Sequence, residues 1–227
     1  MLITFNHVTK IYEKNWKALN DIHFRIEKGE FVFLTGPSGA GKTTILKLIY
    51  MDERPDSGEV LISFSRDLTY RSGDTPRSRI QMLRRKLGIV FQDFKLLPDR
   101  NVFENVAFAL RIAGSSNRHI KQRVYEVLVY CGVAHKALNF PHQLSGGEQQ
   151  RVSVARAMAN EPYIVLADEP TGNLDAGNAL EILHLFQNIN AAGTAVFMAT
   201  HNTALIRPFP YRSLAVDHGV LVKRDFI

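Results

Sequence analysis

The chain has 227 residues, 45% hydrophobic and 22% charged, with a formal net charge of +6. That balance excludes disordered, collagen-like and low-complexity classes, and the length can bury a full core as one large α/β unit or two joined subdomains. A single cysteine, Cys131, cannot form an internal disulfide, which points to a reducing compartment, and unbroken apolar runs stop at five residues, too short to span a bilayer.

In chain order, the first residues (MLITFNHVTK) lack the apolar core of a signal peptide. Ile3 and Phe5 alternate with Thr4 and Asn6, and Ile22, Phe24 and Ile26 alternate with Asp21, His23, Arg25 and Glu27. That is the period of half-buried antiparallel strands. Phe31 to Leu34 is unalternated, so a buried parallel strand is expected there, feeding a helix from Lys42 to about Met51. Between them, Gly36-Pro37-Ser38-Gly39-Ala40-Gly41-Lys42-Thr43 matches G-x-x-x-x-G-K-[ST]. Glycines let backbone N–H groups converge on one point and the helix start adds its positive end. Lys42 then reaches the β- and γ-phosphates, and the Thr43 hydroxyl ligates Mg²⁺.

Arg66 to Lys86 follows, with seven basic residues against two acidic ones. It suits either anionic lipid headgroups or a solvated helix face. Nucleic-acid binding is not expected, because no exposed aromatics interleave with the charges. A helical insertion is expected from roughly 93 to 160. Within it Asn101 to Ile112 and Asn117 to Cys131 are helical, and Ile120, Val124, Val127, Leu128 and Cys131 form one stripe. Leu144-Ser145-Gly146-Gly147-Glu148-Gln149-Gln150-Arg151 begins a further helix. Ser145 and Glu148 have capping-box spacing, and Gly146 and Gly147 weaken the helix while leaving N–H groups open to an anion.

Strand and helix then alternate: Tyr163 to Ala167, Ala179 to Ile189, Thr194 to Thr200, Leu214 to Val216. The first of these strands ends in Asp168 and Glu169. Asp168 is expected to hold Mg²⁺, usually through water, and Glu169 to act as general base on the water attacking the γ-phosphate. Neither an internal repeat nor a long linker is present.

The phosphate loop, Leu144–Glu148 and Asp168-Glu169, in this order, resemble the ATP-binding-cassette (ABC) ATPases over essentially the whole chain. The resemblance implies an α/β P-loop NTPase fold of ABC type: a mostly parallel core sheet with helices, an N-terminal antiparallel β subdomain and an inserted α-helical subdomain. As one ABC ATP-binding domain, residues 1–92 and 161–227 would be the nucleotide-binding core and 93–160 the helical subdomain. It also implies ATP and Mg²⁺ as cofactors, with the ATP-binding loop running from Gly36 through Thr44. Tyr12 looks like the aromatic that stacks on adenine, with Trp16 a competitor. Gln92, after Gly88 to Phe91, looks like the glutamine that senses Mg²⁺ and the attacking water. Asn173-Leu174-Asp175 resembles the loop that communicates across a dimer, and His201 the histidine that contacts γ-phosphate. Asn202 stands where the family usually has Asp, which leaves the orientation of His201 open.

In this family one phosphate loop and one signature site close on the same ATP from opposite chains, which implies an ATP-dependent homodimer. Gln92 to Arg100 resembles the groove that receives a membrane subunit, although Phe94, Leu96 and Leu97 also suit a plain core. Phe91–Val102, Asn139–Arg151 and the short length are similar to the cell-division branch of the family, the FtsE proteins. That likeness implies a peripheral place on the cytoplasmic face of the bacterial inner membrane and an integral membrane partner resembling FtsX. ATP cycling would then signal to cell-wall hydrolases, with nothing transported. The alternatives are the ATPase of a lipoprotein-release or macrolide-export transporter, and a soluble ABC ATPase acting on DNA or ribosomes.

Overall fold

The computed structural model describes residues 1–13 and 16–222. The alternating N-terminal segments become two long antiparallel strands, β1 (Ile3–Tyr12) and β2 (Trp16–Ile26), with Phe5 opposite Phe24 and Tyr12 opposite Trp16. The unalternated run becomes β3 (Phe31–Thr35), every residue of which is buried. After the glycine-rich turn comes α1 (Lys42–Ile49). β4 (Ser57–Ser63) and β5 (Thr69–Arg71) complete a four-stranded antiparallel sheet in the order β2-β1-β4-β5.

The basic stretch contains α2 (Arg77–Arg84), which buries only Ile80 and Leu83 and leaves its cations outward. β6 (Leu87–Val90) leads into an irregular segment, and the first helix of the expected insertion, α3 (Val102–Ile112), starts later than residue 93. α4 (Asn117–Tyr130) buries Ile120, Val124, Val127 and Leu128, the expected stripe. α5 (Gly146–Met158), β7 (Ile164–Asp168), α6 (Ala176–Ala191), β8 (Ala195–Thr200), α7 (Thr203–Ile206), β9 (Arg212–Asp217) and β10 (Val220–Val222) follow. A six-stranded sheet forms in the order β10-β9-β3-β8-β7-β6, parallel from β9 to β6, with β10 antiparallel at one edge.

The parallel strands lack sequence alternation because both faces are covered. Phe31, Phe33, Val165, Ala167, Val196 and Met198 face a core shared with α3, α4, α5 and α6. Their neighbours Val32, Leu34, Ile164, Leu166, Phe197 and Ala199 face the opposite core, shared with α1 and the antiparallel sheet. Each fully buried side chain of this size contributes about 2 kcal/mol. This packing fixes the carboxyl ends of β3, β7 and β8 side by side, the edge where open α/β sheets hold ligands. Among the described residues, no helix is long and apolar enough to cross a membrane.

Candidate active site

Between β3 and α1, Gly41 has φ 110 and serves as the N-cap of α1 without any side-chain cap. A Cβ there would lie 2.7 Å from Leu19 Cδ2 and 2.8 Å from the Ala18 carbonyl oxygen, so β2 runs directly beneath the loop and admits only glycine. The opposite flank is closed by the β9–β10 turn, where the Gly219 N–H donates to the Ala40 carbonyl over 3.1 Å. No sequence pattern linked Gly219 to the loop.

Lys42 is 6% exposed, and its Nζ donates to the Gly36 and Pro37 carbonyls at 2.8 and 3.1 Å. The same Nζ lies 3.2 Å from Glu169 Oε1. The other oxygen, Glu169 Oε2, accepts from the His201 backbone N–H at 3.2 Å and lies 2.9 Å from His201 Nδ1. Lys42 and His201, far apart in the sequence, thus meet around one carboxylate. Glu169 itself adopts φ 49, a left-handed conformation that costs a non-glycine residue about 1–2 kcal/mol. That turn aims its side chain across the strand ends. Asn202 is occupied elsewhere: its Oδ1 accepts from the Leu205 N–H and caps α7. Glu169 therefore orients His201.

Asp168 is the other half of the pair. Burial pushes its carboxyl above the usual range against a hydrogen bond from Thr43, with the Glu169 charge adding to the rise. Its Oδ1 is buried without a hydrogen-bond partner. An orphaned carboxylate oxygen beside a hydroxyl is a hard-oxygen donor set of the kind Mg²⁺ accepts, so these residues fit the ion. Gln92 is turned toward the loop after β7: its Nε2 donates to Asn173 Oδ1 at 3.4 Å, and Asn173 Nδ2 donates to the Gln92 carbonyl at 3.0 Å. Tyr12 and Trp16 stack on each other with centroids 5.6 Å apart, so both expected candidates for adenine lie together at the end of the β1–β2 hairpin.

The Leu144–Glu148 segment forms a complete capping box. The Glu148 N–H donates to Ser145 Oγ at 3.3 Å, and the Ser145 N–H donates to Glu148 Oε2 at 2.8 Å. Gly147 has a structural reason that sequence reading missed: a Cβ would fall 2.4 Å from Asn178 Oδ1 at the start of α6. A Cβ on Gly146 would lie 3.4 Å from Leu174 Cδ2. Asp175 caps α6 through the Asn178 N–H at 3.0 Å and accepts from Asn178 Nδ2 at 2.6 Å, so Asn173, Leu174 and Asp175 form the floor under the two glycines. The segment after Gln92 is pinned from the same helix. Phe94 and Lys95 both have positive φ (58 and 48), and Arg156 donates from Nη2 to Phe94 O at 2.7 Å and from Nη1 to Lys95 O at 2.5 Å. Leu96 packs on the core, and Asn105 bonds Leu97 through both backbone groups. Neither Arg156 nor Asn105 carried a sequence signal, since each acts on backbone far from any motif.

The ABC transporter family model matches residues 19–172. The cell division ATP-binding protein FtsE of Bacillus subtilis is 48% identical over 224 residues, covering 99% of this chain and 96% of its own. The protein of the same name from Escherichia coli K12 is 48% identical over 220 residues, covering 97% of each. Among solved structures, the ATP-binding cassette MJ0796, a dimer in a post-hydrolysis state bound to ADP and Pi, is similar with TM-score 0.87 and 33% identity, covering 100% of this chain and 99% of its own.

Proposed function

The chain belongs to the ABC transporter family, and we propose that it is the ATP-hydrolysing subunit of a membrane complex of FtsE–FtsX type that acts in cell division. The observation that carries the catalytic part is the convergence of Lys42, Asp168, Glu169 and His201 at three adjacent strand ends. The backbone N–H groups from Gly36 to Thr44 and the Lys42 ammonium bind the β- and γ-phosphates. Asp168, Thr43 and Gln92 would hold Mg²⁺, which would offset charge on the phosphate oxygens. Glu169 takes the proton of the attacking water, and His201 contacts the γ-phosphate. Tyr12 stacks on the adenine.

One chain offers a phosphate loop and, on a separate helix, the Leu144–Glu148 signature. Two copies in opposite orientation complete two sites, with each signature closing on its partner's ATP and the Asn173–Asp175 loops adjoining. Residues 1–92 and 161–227 serve as the nucleotide-binding core, of which 14–15 and 223–227 lie outside the described residues, and 93–160 as the helical lever. Gln92 to Arg100 receives a short helix of an integral membrane subunit resembling FtsX, placing the chain on the cytoplasmic face of the membrane. Support for that docking is the Arg156 clamp, which ties this segment to the signature helix so that closure on ATP moves both.

Glu169→Gln is expected to retain ATP binding while turnover falls by roughly 10²–10⁴-fold. Steady-state phosphate release within a few-fold of the parent would refute the general-base assignment. Purification in mild detergent is expected to bring down an integral membrane protein with a large extracytoplasmic domain. A transporter with an evident substrate path would overturn the cell-division reading and leave the ATPase intact.

A further inference from the structure

The signature site contains an apparent contradiction. Its purpose in the dimer is to meet a polyphosphate, yet Glu148 places a carboxylate in the first turn of the helix that faces it. One oxygen, Oε2, is consumed by the Ser145 N–H. The other, Oε1, lies 3.3 Å from Lys136 Nζ, with His135 Nε2 at 3.9 Å. Both members of the Lys136–Glu148 pair are largely shielded, with side chains 29% and 25% exposed. Lys136 comes from a single-turn helix (Ala134–Lys136) between α4 and α5 that has no part in any recognised motif.

We propose that Lys136 is a positioning residue for the shared ATP site: its ammonium cancels the charge of Glu148, so that the signature helix presents a receptive N-terminus to the partner's γ-phosphate. This rests on the shared-site reading above. The hydrogen bond to the cap needs only an acceptor oxygen at residue 148, which glutamine also supplies. The carboxylate's charge opposes the helix dipole's attraction for phosphate. An ammonium salt-bridged to Oε1 removes that opposition at short range, where solvent and salt screen least.

The pair can be separated by a double-mutant cycle in the full-length chain. Lys136→Ala exposes the carboxylate and is expected to raise the ATP concentration for half-maximal turnover about five- to tenfold, with kcat held within about twofold. In the Glu169→Gln background, dimerisation driven by ATP and followed by sedimentation should weaken to the same extent. Lys136→Arg should restore both values. In a Glu148→Gln background, whatever that change does by itself, Lys136→Ala should cause no further rise, since the charge it offsets is gone; a merely structural lysine would show its full effect there as well. Thermal melting and single-chain binding of a fluorescent ATP analogue serve as controls. A Lys136→Ala variant equal to the parent, or a Lys136→Ala defect just as large in the Glu148→Gln background, overturns the proposal. If Glu169→Gln forms no dimer with ATP at any concentration, the shared-site reading falls and takes this inference with it.

Discussion

The N-termini of α1 and α5 are built in opposite ways. α1 begins at Gly41 with no side-chain cap, a positive φ and a buried lysine as its first residue. Its free N–H groups are satisfied only by what binds there, and the strand beneath it and the turn beside it hold the loop open. α5 begins at Ser145 with a reciprocal cap, a carboxylate and an offsetting lysine, so its end is stable on its own. The difference follows from where each phosphate comes from. α1 wraps a nucleotide held within the same chain and can leave its end unfinished. Under the shared-site reading proposed above, α5 meets a nucleotide carried by another copy and must keep its shape in the interval.

The sharpest way to break this contrast is Gly41→Ala. The new methyl meets Leu19 and the Ala18 carbonyl at under 3 Å with φ fixed at 110, so the strain is at least about 1–3 kcal/mol. Nucleotide titration should show loss of binding, with a lowered melting temperature. A variant that binds ATP normally would show that the loop is not held by β2.

Gly147→Ala should separate stability from function at the other helix. Alanine gains about 1 kcal/mol over glycine within a helix, while displacing Asn178 loses a hydrogen bond to Asp175 of about 0.5–1.5 kcal/mol. The melting temperature should therefore barely move. ATP-driven dimerisation should still fall, because the added methyl lies between the signature and its floor. Unchanged dimerisation would indicate that this face never approaches a second nucleotide.

The last effect concerns the cap and reads on stability alone. Ser145→Ala is expected to cost about 1 kcal/mol in chemical denaturation. Glu148 titrates below the usual 4.5, chiefly because the Ser145 N–H donates to it, with Lys136 adding a smaller effect. A lowered carboxyl value means its contribution to stability is fully present above 4.5 and is lost as pH falls through the folded value. Glu148→Gln should flatten that acid limb of the stability profile. An identical acid limb in both proteins would exclude the cap as its source.

Much of this was readable from residue order, and the reasons are local. The phosphate loop, the Ser145–Glu148 spacing and the strand run before Asp168 are each set by consecutive residues, whose backbone preferences and hydrogen-bonding groups act within a turn or two. The stripe on α4 was readable because a helix repeats every 3.6 residues whatever it packs against. α2 and the short edge strands were less readable. α2 buries only two residues, and β10 has three residues with none buried, too few to impose a period.

The amino-acid order by itself determined the family, the ATP chemistry and the division of the chain into motif-bearing segments, because those depend on residue types at short spacing. Only the tertiary structure decided which groups complete them. Glu169 holds His201 although Asn202 replaces the usual neighbour; Arg156 clamps Phe94 and Lys95 across sixty residues; Asn178 is the reason Gly147 has no side chain; and Lys136 sits on Glu148. Each of these pairs joins separate segments that tertiary packing brings together, and no local preference in either segment records its partner.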